Sequence, residues 1–551
     1  MVEYNKPIGK TTSTQQIPST VDKFYFWIAE GIEVQPYDFV TAKEENFVSV
    51  GIIKGISNYT DAQNHLSNRL ISDIKENILQ RFSITIAEVE VIYSYIIKNK
   101  KEHIEKIYPI SSGIPVYIST KEEILESLTA ISESKETVPG GIISRTSGES
   151  VIVPLNINYL LGPESGHLNV SGISGLATKT SYMMFLLYNI NKTYPKNYIN
   201  IIFNVKGYDL LNIDKPAKDL SDDDKEMYKI IFGTSNPSPF LKVEYYFPRG
   251  LNGNPNTYST RKDYKIYAFT FKDIYCDLDL LFSDVIDEYH TVESFARYIK
   301  KDWNSKNERW ELQSHLKNRE LNIFASNWTE FKDHLDKRSK DISEAYGLYP
   351  STMGRIKRNL DRLTSFPTFV DKRARNEVFI RDIIRNATPG ETIVIDIAKL
   401  NKSEQTFVVG EVFRELEDII RTENEKTKKK AIIVVDELNS IAPKSENTPL
   451  KEQVIEVVRK GRDAGFIIFG AEQFASEVDD QIVGNSALRV IGRTSSMEIS
   501  SAAYKNLSPE DKSTVMMLRK GEMLMSFPIF RSNLKIRFPK PPYLRPESSK
   551  K

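Results

Sequence analysis

Short apolar runs, separated by turns rich in Gly, Pro and Asn, follow a polar start of the chain. The runs FYFWIAEG, FVSVGIIKGI, ITIAEVEVIYSYI and GIPVYIS have the lengths and the alternation typical of β-strands. One stretch near residues 61–80 has a helical pattern instead. The pattern predicts a small β-barrel over residues 21–160, preceded by a flexible arm of residues 1–20 that is rich in Thr, Ser and Gln.

Longer apolar runs alternate with helical periodicity in the rest of the chain. The runs YINIIFN, ETIVID, AIIVVD and FIIFG are typical of parallel strands that are buried on both faces of a sheet. They predict an α/β core, composed of residues 161–274 and 389–537. Helical periodicity over residues 275–388 predicts a helical subdomain inserted between the two halves of this core.

The C-terminal residues 538–551 contain the proline-rich stretch PKPPYLRP. Proline can neither continue a helix nor donate within a central strand, so this tail should run extended along a surface. We expect one of two arrangements. The tail either lies on an adjacent subunit and helps to hold an assembly together, or it is a mobile end.

The stretch GHLNVSGISGLATKTSYMMFLLYNI predicts a short strand, a glycine-containing turn and a helix. A bound phosphate needs inward-pointing backbone N–H groups, a helix N-terminus and a lysine that reaches it. Glycines allow close approach of the backbone, Lys179 supplies the charge, and Thr180 or Ser181 supplies a hydroxyl for Mg²⁺. The predicted nucleotide-binding residues are Gly172, Ser174, Gly175, Ala177, Thr178, Lys179, Thr180 and Ser181.

The spacing of this loop departs from the usual phosphate-binding motif. Counted from Gly172, G-x-x-x-x-G-K-[ST] would place its second glycine at Ala177 and its lysine at Thr178, so the loop needs one extra residue. The alternative is an ordinary glycine turn that leads into a buried helix.

A second candidate element is the stretch AIIVVDELN, a buried strand that ends in two acidic residues. Nucleotides bind at the carboxyl edge of open α/β sheets, where Asp436 would hold Mg²⁺ and Glu437 would orient the attacking water. The alternative is a strand that ends in a solvated acidic pair.

Composition limits the remaining function classes. The 75 Lys and Arg residues balance 74 Asp and Glu residues, so any DNA-binding surface must be local. The single cysteine, Cys276, excludes an internal disulfide framework and a cysteine-based zinc site. No apolar run approaches the ~18 residues needed to span a bilayer, and the start of the chain lacks a signal-peptide core. These features predict a cytoplasmic protein with no membrane partner.

The motifs, taken in order, resemble the HerA branch of the FtsK/HerA translocases, including the members found in prokaryotic antiphage defence. The resemblance lies in the phosphate loop, IVIDIAKL, VVDE, RKGRDAG, FGAEQ, ALRVIGRT and LRKGEMLMSF. It implies an α/β fold with a RecA-like P-loop ATPase core, an N-terminal barrel of the HAS-barrel kind and an inserted helical subdomain. It also implies ATP and Mg²⁺ as cofactors.

The resemblance assigns roles to individual residues. Lys179 and Thr180 would hold the phosphates and Mg²⁺, with Asp436 as metal support and Glu437 as catalytic base. Gln473 would sense the γ-phosphate. Arg462, or alternatively Arg459, would be an arginine finger, a side chain that reaches the nucleotide of the neighbouring subunit. Lys399 and Lys402 would be loop residues that contact DNA. For Arg462, a structural salt bridge on a helix is the other interpretation.

One further element departs from the family pattern. The turn NVKGYD stands where the family often has D-x-x-G-E, so that Asn204 and Tyr208 replace two acidic residues. The function of that element is therefore expected to be altered.

The resemblance implies a homo-hexameric ring around double-stranded DNA. The implied partner is a NurA-like nuclease, or a sirtuin-like or other effector, docked on the barrel. The predicted function is an ATP-driven DNA translocase or helicase in antiphage defence. Two alternatives stay open, namely a nucleotide-binding scaffold ring with little turnover and a DNA-segregation or conjugation pump.

Overall fold

A computed structural model describes residues 6–60, 83–98, 102–130, 134, 136–146, 148–173, 175, 178–281, 291–316, 319–422 and 429–545. The predicted helical stretch at 61–80 lies outside these residues, as do the predicted site residues Ser174 and Ala177.

Six described strands at the N-terminus close into an antiparallel barrel. The strand order in the ring is β1-β2-β5-β4-β3-β7, and β7 pairs with β1 to close it. Strand β6 pairs with the C-terminal end of β5. Phe24, Phe26, Val40, Val89 and Val116 are completely buried inside the ring, which confirms the predicted barrel. The strands and the helix that follows them are β1 Gly9–Thr12, β2 Lys23–Ile28, β3 Phe39–Glu44, β4 Phe47–Thr60, β5 Ser83–Lys98, β6 Glu102–Glu105, β7 Pro115–Ile118 and α1 Lys121–Thr129.

The prediction of a flexible arm is wrong for residues 9–12, because β1 pairs with both β2 and β7. Thr11 is buried there, and its hydroxyl donates to the carbonyl of Ser111 at 2.6 Å. A short strand whose buried residue is a hydrogen-bonded threonine has no hydrophobic alternation that sequence reading could detect.

The core sheet has thirteen strands within the described residues, in the order β17-β13-β12-β18-β11-β19-β20-β10-β21-β22-β23-β8-β9. The nine from β17 to β21 are parallel. The elements of its first half are β8 Thr137–Ser144, β9 Ser150–Asn156, α2 Ile157–Leu161, β10 Leu168–Ser171, α3 Lys179–Thr193, β11 Ile199–Asn204, α4 Asp222–Phe232, β12 Val243–Pro248, β13 Lys265–Tyr267, α5 Phe271–Ile274 and α6 Leu278–Leu281.

Between the two halves of the core lies a subdomain that contains a small antiparallel sheet, β14-β15-β16, as well as helices. The prediction of a purely helical insertion is therefore wrong over residues 303–325. The strand β15 alternates between buried Trp310 and Leu312 and more exposed neighbours, a pattern that charged residues obscure in the sequence. The subdomain comprises α7 Thr291–Lys301, β14 Trp303–Asn304, β15 Arg309–Leu316, β16 Arg319–Ala325, α8 Trp328–Lys337, α9 Ser339–Tyr346 and α10 Pro350–Thr364.

The second half of the core confirms the predicted strands ending at Asp396 and Asp436. The predicted strand FIIFGAEQ is also present, but it ends at Glu472, one residue before Gln473. The helix α12, which follows the strand ending at Asp396, spans Lys402–Thr422. The elements are β17 Glu377–Val378, α11 Ile380–Asn386, β18 Thr392–Asp396, α12 Lys402–Thr422, β19 Ala431–Asp436, α13 Leu438–Ile441, α14 Pro449–Ala464, β20 Phe466–Glu472, α15 Asp480–Asn485, β21 Leu488–Ile491, α16 Ser496–Ile499, α17 Pro509–Met517, β22 Glu522–Ser526 and β23 Leu534–Arg537.

The parallel part of the sheet is covered on both faces. In β19, Ile433 and Val435 pack into one apolar cluster with α12 and α14. Ile432 and Val434 pack into the other, together with α3. The central order β21-β10-β20-β19-β11 places β10, the first parallel strand in the chain, between β20 and β21. This doubly covered arrangement is a RecA-like α/β core.

The predicted boundary of the barrel domain at residue 160 is wrong. Strands β8 and β9 pair with each other and join the core sheet, because β8 also pairs with β23 through Ile142 and Arg537. The core therefore begins near residue 137. Strands that extend a sheet from its edge have the same alternation as barrel strands, so the sequence pattern alone does not separate them.

The barrel contacts the core through Asp511 of α17, which is 3 % exposed. Its carboxylate accepts a 2.6 Å hydrogen bond from Tyr37 and one of 3.1 Å from Lys54, both on the barrel side, and a third from Asn533. In the described part of the chain no helix is both long and apolar enough to cross a membrane.

Residues 538–545 run extended, as predicted, but they lie against their own chain. Tyr543 is 2 % exposed and forms a β-bridge with Pro216. The N–H of Leu544 donates to Lys215 at 2.8 Å. The described part of the tail thus packs on its own subunit.

Candidate functional site

The predicted phosphate loop joins β10 to α3 at the carboxyl edge of the sheet. Gly172 and Gly175 have φ angles of +141° and +81°, a region in which a side chain would be strained. Lys179 is the first residue of α3, and its ammonium donates a 2.7 Å hydrogen bond to the carbonyl of Gly172. Burial lowers the pKa of Lys179, and the charges of Asp436 and Glu437 oppose this effect. The lysine is therefore folded back onto its own loop.

Thr178 precedes the helix in the left-handed conformation, with a φ of +49°. The usual motif has glycine immediately before its lysine, and glycine adopts this conformation without strain. The hydroxyl oxygen of Thr178 is buried and has no hydrogen-bond partner among the described residues. Thr178 thus adopts, directly before the lysine, a left-handed backbone conformation that glycine would adopt without strain.

Asp436, the last residue of β19, meets the phosphate loop directly. The hydroxyl of Thr180 donates to its carboxylate at 2.9 Å, and the N–H of Glu437 donates to the other carboxylate oxygen at 3.0 Å. The strand register explains the contact, because β20 lies between β19 and β10. Asp436 of β19 is opposite Ala471 of β20, and Ser171 of β10 is opposite the next residue, Glu472, so that β19 and β10 end at the same level. Two neighbouring oxygen donors of this kind suit Mg²⁺.

Glu437 follows Asp436 with a φ of +60°, a left-handed conformation that is uncommon for a residue other than glycine. Its carboxylate forms an ion pair with Lys206, in the turn after β11. Burial lowers the pKa of Lys206, but the hydrogen bond to Glu437 and the charges of Asp436 and Glu437 outweigh burial and raise the pKa above its usual value. Lys206 was not identified from the sequence as a site residue, because the family pattern drew attention only to the missing acids of this turn.

Asn204, which replaces the first of those acids, is completely buried. Its amide donates to Asp396 at 2.8 Å and to the carbonyl of Gly207 at 3.0 Å, and its oxygen accepts from the N–H of Leu210 at 3.2 Å. An acid at position 204 would face the Asp396 carboxylate directly. The substitution therefore gives the turn a fixed backbone, while Tyr208 lies exposed on its surface.

Glu472, at the end of β20, is a second residue that was missed from the sequence. It is completely buried, and one of its oxygens accepts from the amide of Asn169 at 3.2 Å. The other oxygen has no partner among the described residues. Burial raises the pKa of this carboxyl to about 8, against the lowering effect of Asn169. An acid that ends an otherwise apolar strand was the available signal.

Gln473 comes directly after β20 and is half-buried at the same edge of the sheet as Asp436. Two of the predicted lysines also follow a strand at this edge. Lys399 and Lys402 come after β18 and are both exposed, and the ammonium of Lys399 lies 4.6 Å from the centre of the Tyr258 ring.

The two predicted arginines do not reach this site in their own chain. Arg462 lies at the C-terminal end of α14, next to the amino end of β20, where its guanidinium contacts Asp463 at 3.3 Å and the carbonyl of Glu164 at 3.4 Å. Arg459 is exposed on the same helix. The seven residues of β20 separate Arg462 from the phosphate loop by about 20 Å.

Comparison with known proteins finds no matching family model and no matching curated sequence. Among solved structures, the bacterial conjugative coupling protein TrwBdeltaN70 is similar with a TM-score of 0.46 and 12 % identity, over 75 % of this chain and 90 % of that one. VirB4 of Thermoanaerobacter pseudethanolicus gives 0.42 and 14 %, over 74 % and 97 %. The genome-packaging NTPase B204 of Sulfolobus turreted icosahedral virus 2 gives 0.22 and 14 %, over 29 % and 72 %.

Proposed function

We propose that this protein hydrolyses ATP with Mg²⁺ at the carboxyl edge of its core sheet, as a motor of the FtsK/HerA type. The observation that carries the proposal is the 2.9 Å hydrogen bond from Thr180 to Asp436. It joins two motifs that were predicted independently from distant parts of the chain. A solvated acidic pair would point into water, whereas Asp436 accepts a hydrogen bond from the hydroxyl that follows the loop lysine.

Each residue at this edge of the sheet would have a separate role in phosphoryl transfer. The loop N–H groups, the N-terminus of α3 and Lys179 would bind the phosphates. Thr180 and Asp436 would hold Mg²⁺, which supplies charge neutralisation when bound. Glu437 would accept a hydrogen bond from the attacking water, and Gln473 would contact the γ-phosphate.

An assembly would complete the site. Because Arg462 and Arg459 lie at the opposite edge of the sheet, they can act only on the nucleotide of a neighbouring subunit. A homo-hexameric ring around double-stranded DNA provides such neighbours, and Lys399 and Lys402 would then contact DNA phosphates.

The N-terminal barrel is the proposed docking face for a nuclease, a sirtuin-like protein or another effector, in antiphage defence. Exposed apolar side chains on or beside its strands support this assignment, since such groups mark interaction surfaces. They are Tyr59, Ile84, Ile104, Ile107 and Tyr108. They form two groups, one where Tyr59 pairs with Ile84 at the start of β5 and one near Ile104, which pairs with Ile96 towards the end of β5.

A second candidate is a scaffold ring that binds nucleotide and turns it over slowly. The ion pair between Glu437 and Lys206 favours it, because a carboxylate held by a lysine is a weaker acceptor for the water proton. A DNA-segregation or conjugation pump would use the same ATPase site. Additional segments, such as a membrane anchor or a DNA-binding domain, would distinguish it, not the residues of this site.

The test is phosphate release by the purified full-length chain with and without duplex DNA, with the solution mass measured on the same sample. A species of about six subunits, with DNA-stimulated turnover that Lys179→Ala abolishes, would support the motor. A ring that binds ATP but releases no phosphate would support the scaffold. A chain that binds no ATP would overturn both.

A further inference from the structure

We propose that Lys206 is a second phosphate-binding lysine of this site. When a nucleoside triphosphate binds, the ammonium group of Lys206 moves from the Glu437 carboxylate to the γ-phosphate. The inference rests on the proposed function, because it concerns the same site. It adds a residue and a specificity, namely discrimination of triphosphate from diphosphate.

The backbone around Lys206 is fixed, but its side chain is not. Strand β11 lies beside β19, with Ile202 opposite Val434, so that the turn after β11 ends next to the Asp436 corner. Asn204 holds this turn through Gly207 and Leu210. The side chain of Lys206 is 52 % exposed, so its flexible stem can move while its Cα stays in place.

The charges in this space suit an anion that can reach both lysines. Lys206 faces the carboxylates of Asp436, Glu437 and Asp209, while its own charge acts on Lys179, the lysine of the phosphate loop. Lys206, in the turn after β11, and Lys179, the first residue of α3, are therefore both influenced by the same two acids, Asp436 and Glu437. A γ-phosphate held by Lys179 would lie close to Glu437, and two negative groups at that distance repel each other unless a cation lies between them.

The present partner of Lys206 is weak enough to be exchanged. The Lys206 side chain is 52 % exposed and that of Glu437 21 %, and an ion pair whose lysine is open to water contributes little to stability because water competes for the ammonium group. A lysine bound to phosphate in a more enclosed site forms a stronger, charge-assisted hydrogen bond. The exchange moves one side chain from a carboxylate to a phosphate and involves no covalent change.

The exchange would couple two events. When Lys206 moves to the γ-phosphate, the Glu437 carboxylate becomes free to accept a hydrogen bond from the attacking water. A diphosphate lacks the group that attracts Lys206, so Glu437 stays paired. The turn that departs most from the family pattern would thus make the catalytic base available only when there is a bond to hydrolyse.

The experiment measures equilibrium binding of a non-hydrolysable ATP analogue and of ADP, each with Mg²⁺, to the full-length protein and to Lys206→Met. We expect the variant to bind the analogue about tenfold more weakly and ADP within about twofold of the wild type, with a lower kcat for ATP. Lys206→Arg should restore part of the loss.

Lys265→Met is the matched control. Lys265 is also 52 % exposed and pairs with Glu244 at 3.0 Å, but it lies at the amino end of β13, on the opposite edge of the sheet. Its substitution should change neither affinity.

A double-mutant cycle with Glu437→Gln separates a mobile lysine from a static one. In the otherwise wild-type protein, Glu437→Gln releases Lys206 and should tighten binding of the analogue. The effect of Glu437→Gln should be smaller in the Lys206→Met variant, which has no lysine to release. Equal loss of both nucleotides in Lys206→Met, unchanged binding, or a higher kcat would overturn the inference and leave the ATPase proposal intact. A wild-type protein that binds neither nucleotide would overturn both.

Discussion

The hydroxyl of Thr180 and the carboxylate of Asp436 are hydrogen-bonded at 2.9 Å although 256 positions separate them in the chain. Thr180 lies in the first turn of α3, and Asp436 ends β19. A hydroxyl at a phosphate loop and an acid at a neighbouring strand end are the two protein ligands of Mg²⁺ in P-loop sites. Their contact defines where the metal would bind.

Replacing Asp436 by Asn tests this role. The amide oxygen can accept from the N–H of Glu437 while the amide nitrogen donates to the hydroxyl of Thr180, so the fold should be retained, but the charge that attracts Mg²⁺ is lost. We expect ATP hydrolysis to fall about a hundredfold or more. The measurement is phosphate release as a function of Mg²⁺ concentration, with circular dichroism to verify folding. A variant that keeps the wild-type rate and the same Mg²⁺ dependence would show that Asp436 is not a metal ligand.

Glu472 predicts an unusual dependence of stability on pH. Its pKa is raised to about 8 in the folded protein from the ordinary value of 4.5, so between these values the folded protein holds a proton that the unfolded chain has lost. Its contribution to stability is complete below pH 4.5 and decreases as the pH rises to about 8. The stability of Glu472→Gln relative to the wild type should therefore increase by about 2–4 kcal/mol between pH 5 and pH 8. Urea unfolding of both proteins at the two pH values tests this, and equal differences at both would contradict it.

His167 predicts the opposite slope at lower pH. Burial lowers its pKa to about 4 from 6.5, against the raising effect of the 2.9 Å hydrogen bond to the carbonyl of Val458. The other ring nitrogen accepts the N–H of Ile468 at 3.0 Å. The unfolded chain takes up the proton first, so about 3 kcal/mol of stability should be lost as the pH falls from 6.5 to 4.

The variant His167→Asn isolates this slope, since asparagine tolerates the φ of +69° at this position and does not titrate. Its difference from the wild type in free energy of unfolding should shrink as the pH falls. Because Glu472 and His167 act in opposite directions between pH 4.5 and 6.5, only comparison with the single variants separates them. A difference that is constant with pH would rule out a buried neutral histidine.

The C-terminal tail should stabilise its own subunit. Tyr543 is buried, with its ring centre 6.1 Å from that of Phe240, and Tyr543→Ala should lower the free energy of unfolding by about 3–5 kcal/mol. Urea unfolding at two protein concentrations tenfold apart tests this, since a loss within the subunit does not depend on concentration. Unchanged unfolding with a smaller solution mass would instead assign the tail to subunit contacts.

Much of this architecture could be predicted because it follows from local pattern. Buried parallel strands have continuous apolar runs, and the acids at their ends mark the carboxyl edge, which brought Lys179, Thr180 and Asp436 to one site. The strand at residues 9–12 and the sheet at 303–325 were missed because hydrogen-bonded threonine and charged neighbours hide their alternation.

Other features depend on pairing between distant segments. The membership of β8 in the core sheet is decided by its pairing with β23, nearly 400 residues later, and no local pattern encodes it. Lys206 was overlooked because its role depends on Glu437, which lies at the end of another strand, whereas Glu472 had a local signal as an acid that ends an apolar strand. The left-handed backbone of Thr178, directly before Lys179, was likewise not predicted from the sequence.

The most direct test of this ATPase site is phosphate release from Mg²⁺-ATP by the purified wild-type protein, compared with Glu437→Gln and Lys179→Ala. We predict that the wild type releases phosphate, that Glu437→Gln binds ATP without releasing phosphate, and that Lys179→Ala neither binds nor hydrolyses it. Equal phosphate release by all three proteins, or ATP binding that is unaffected by Lys179→Ala, would contradict the assignment of this sheet edge as an ATPase site.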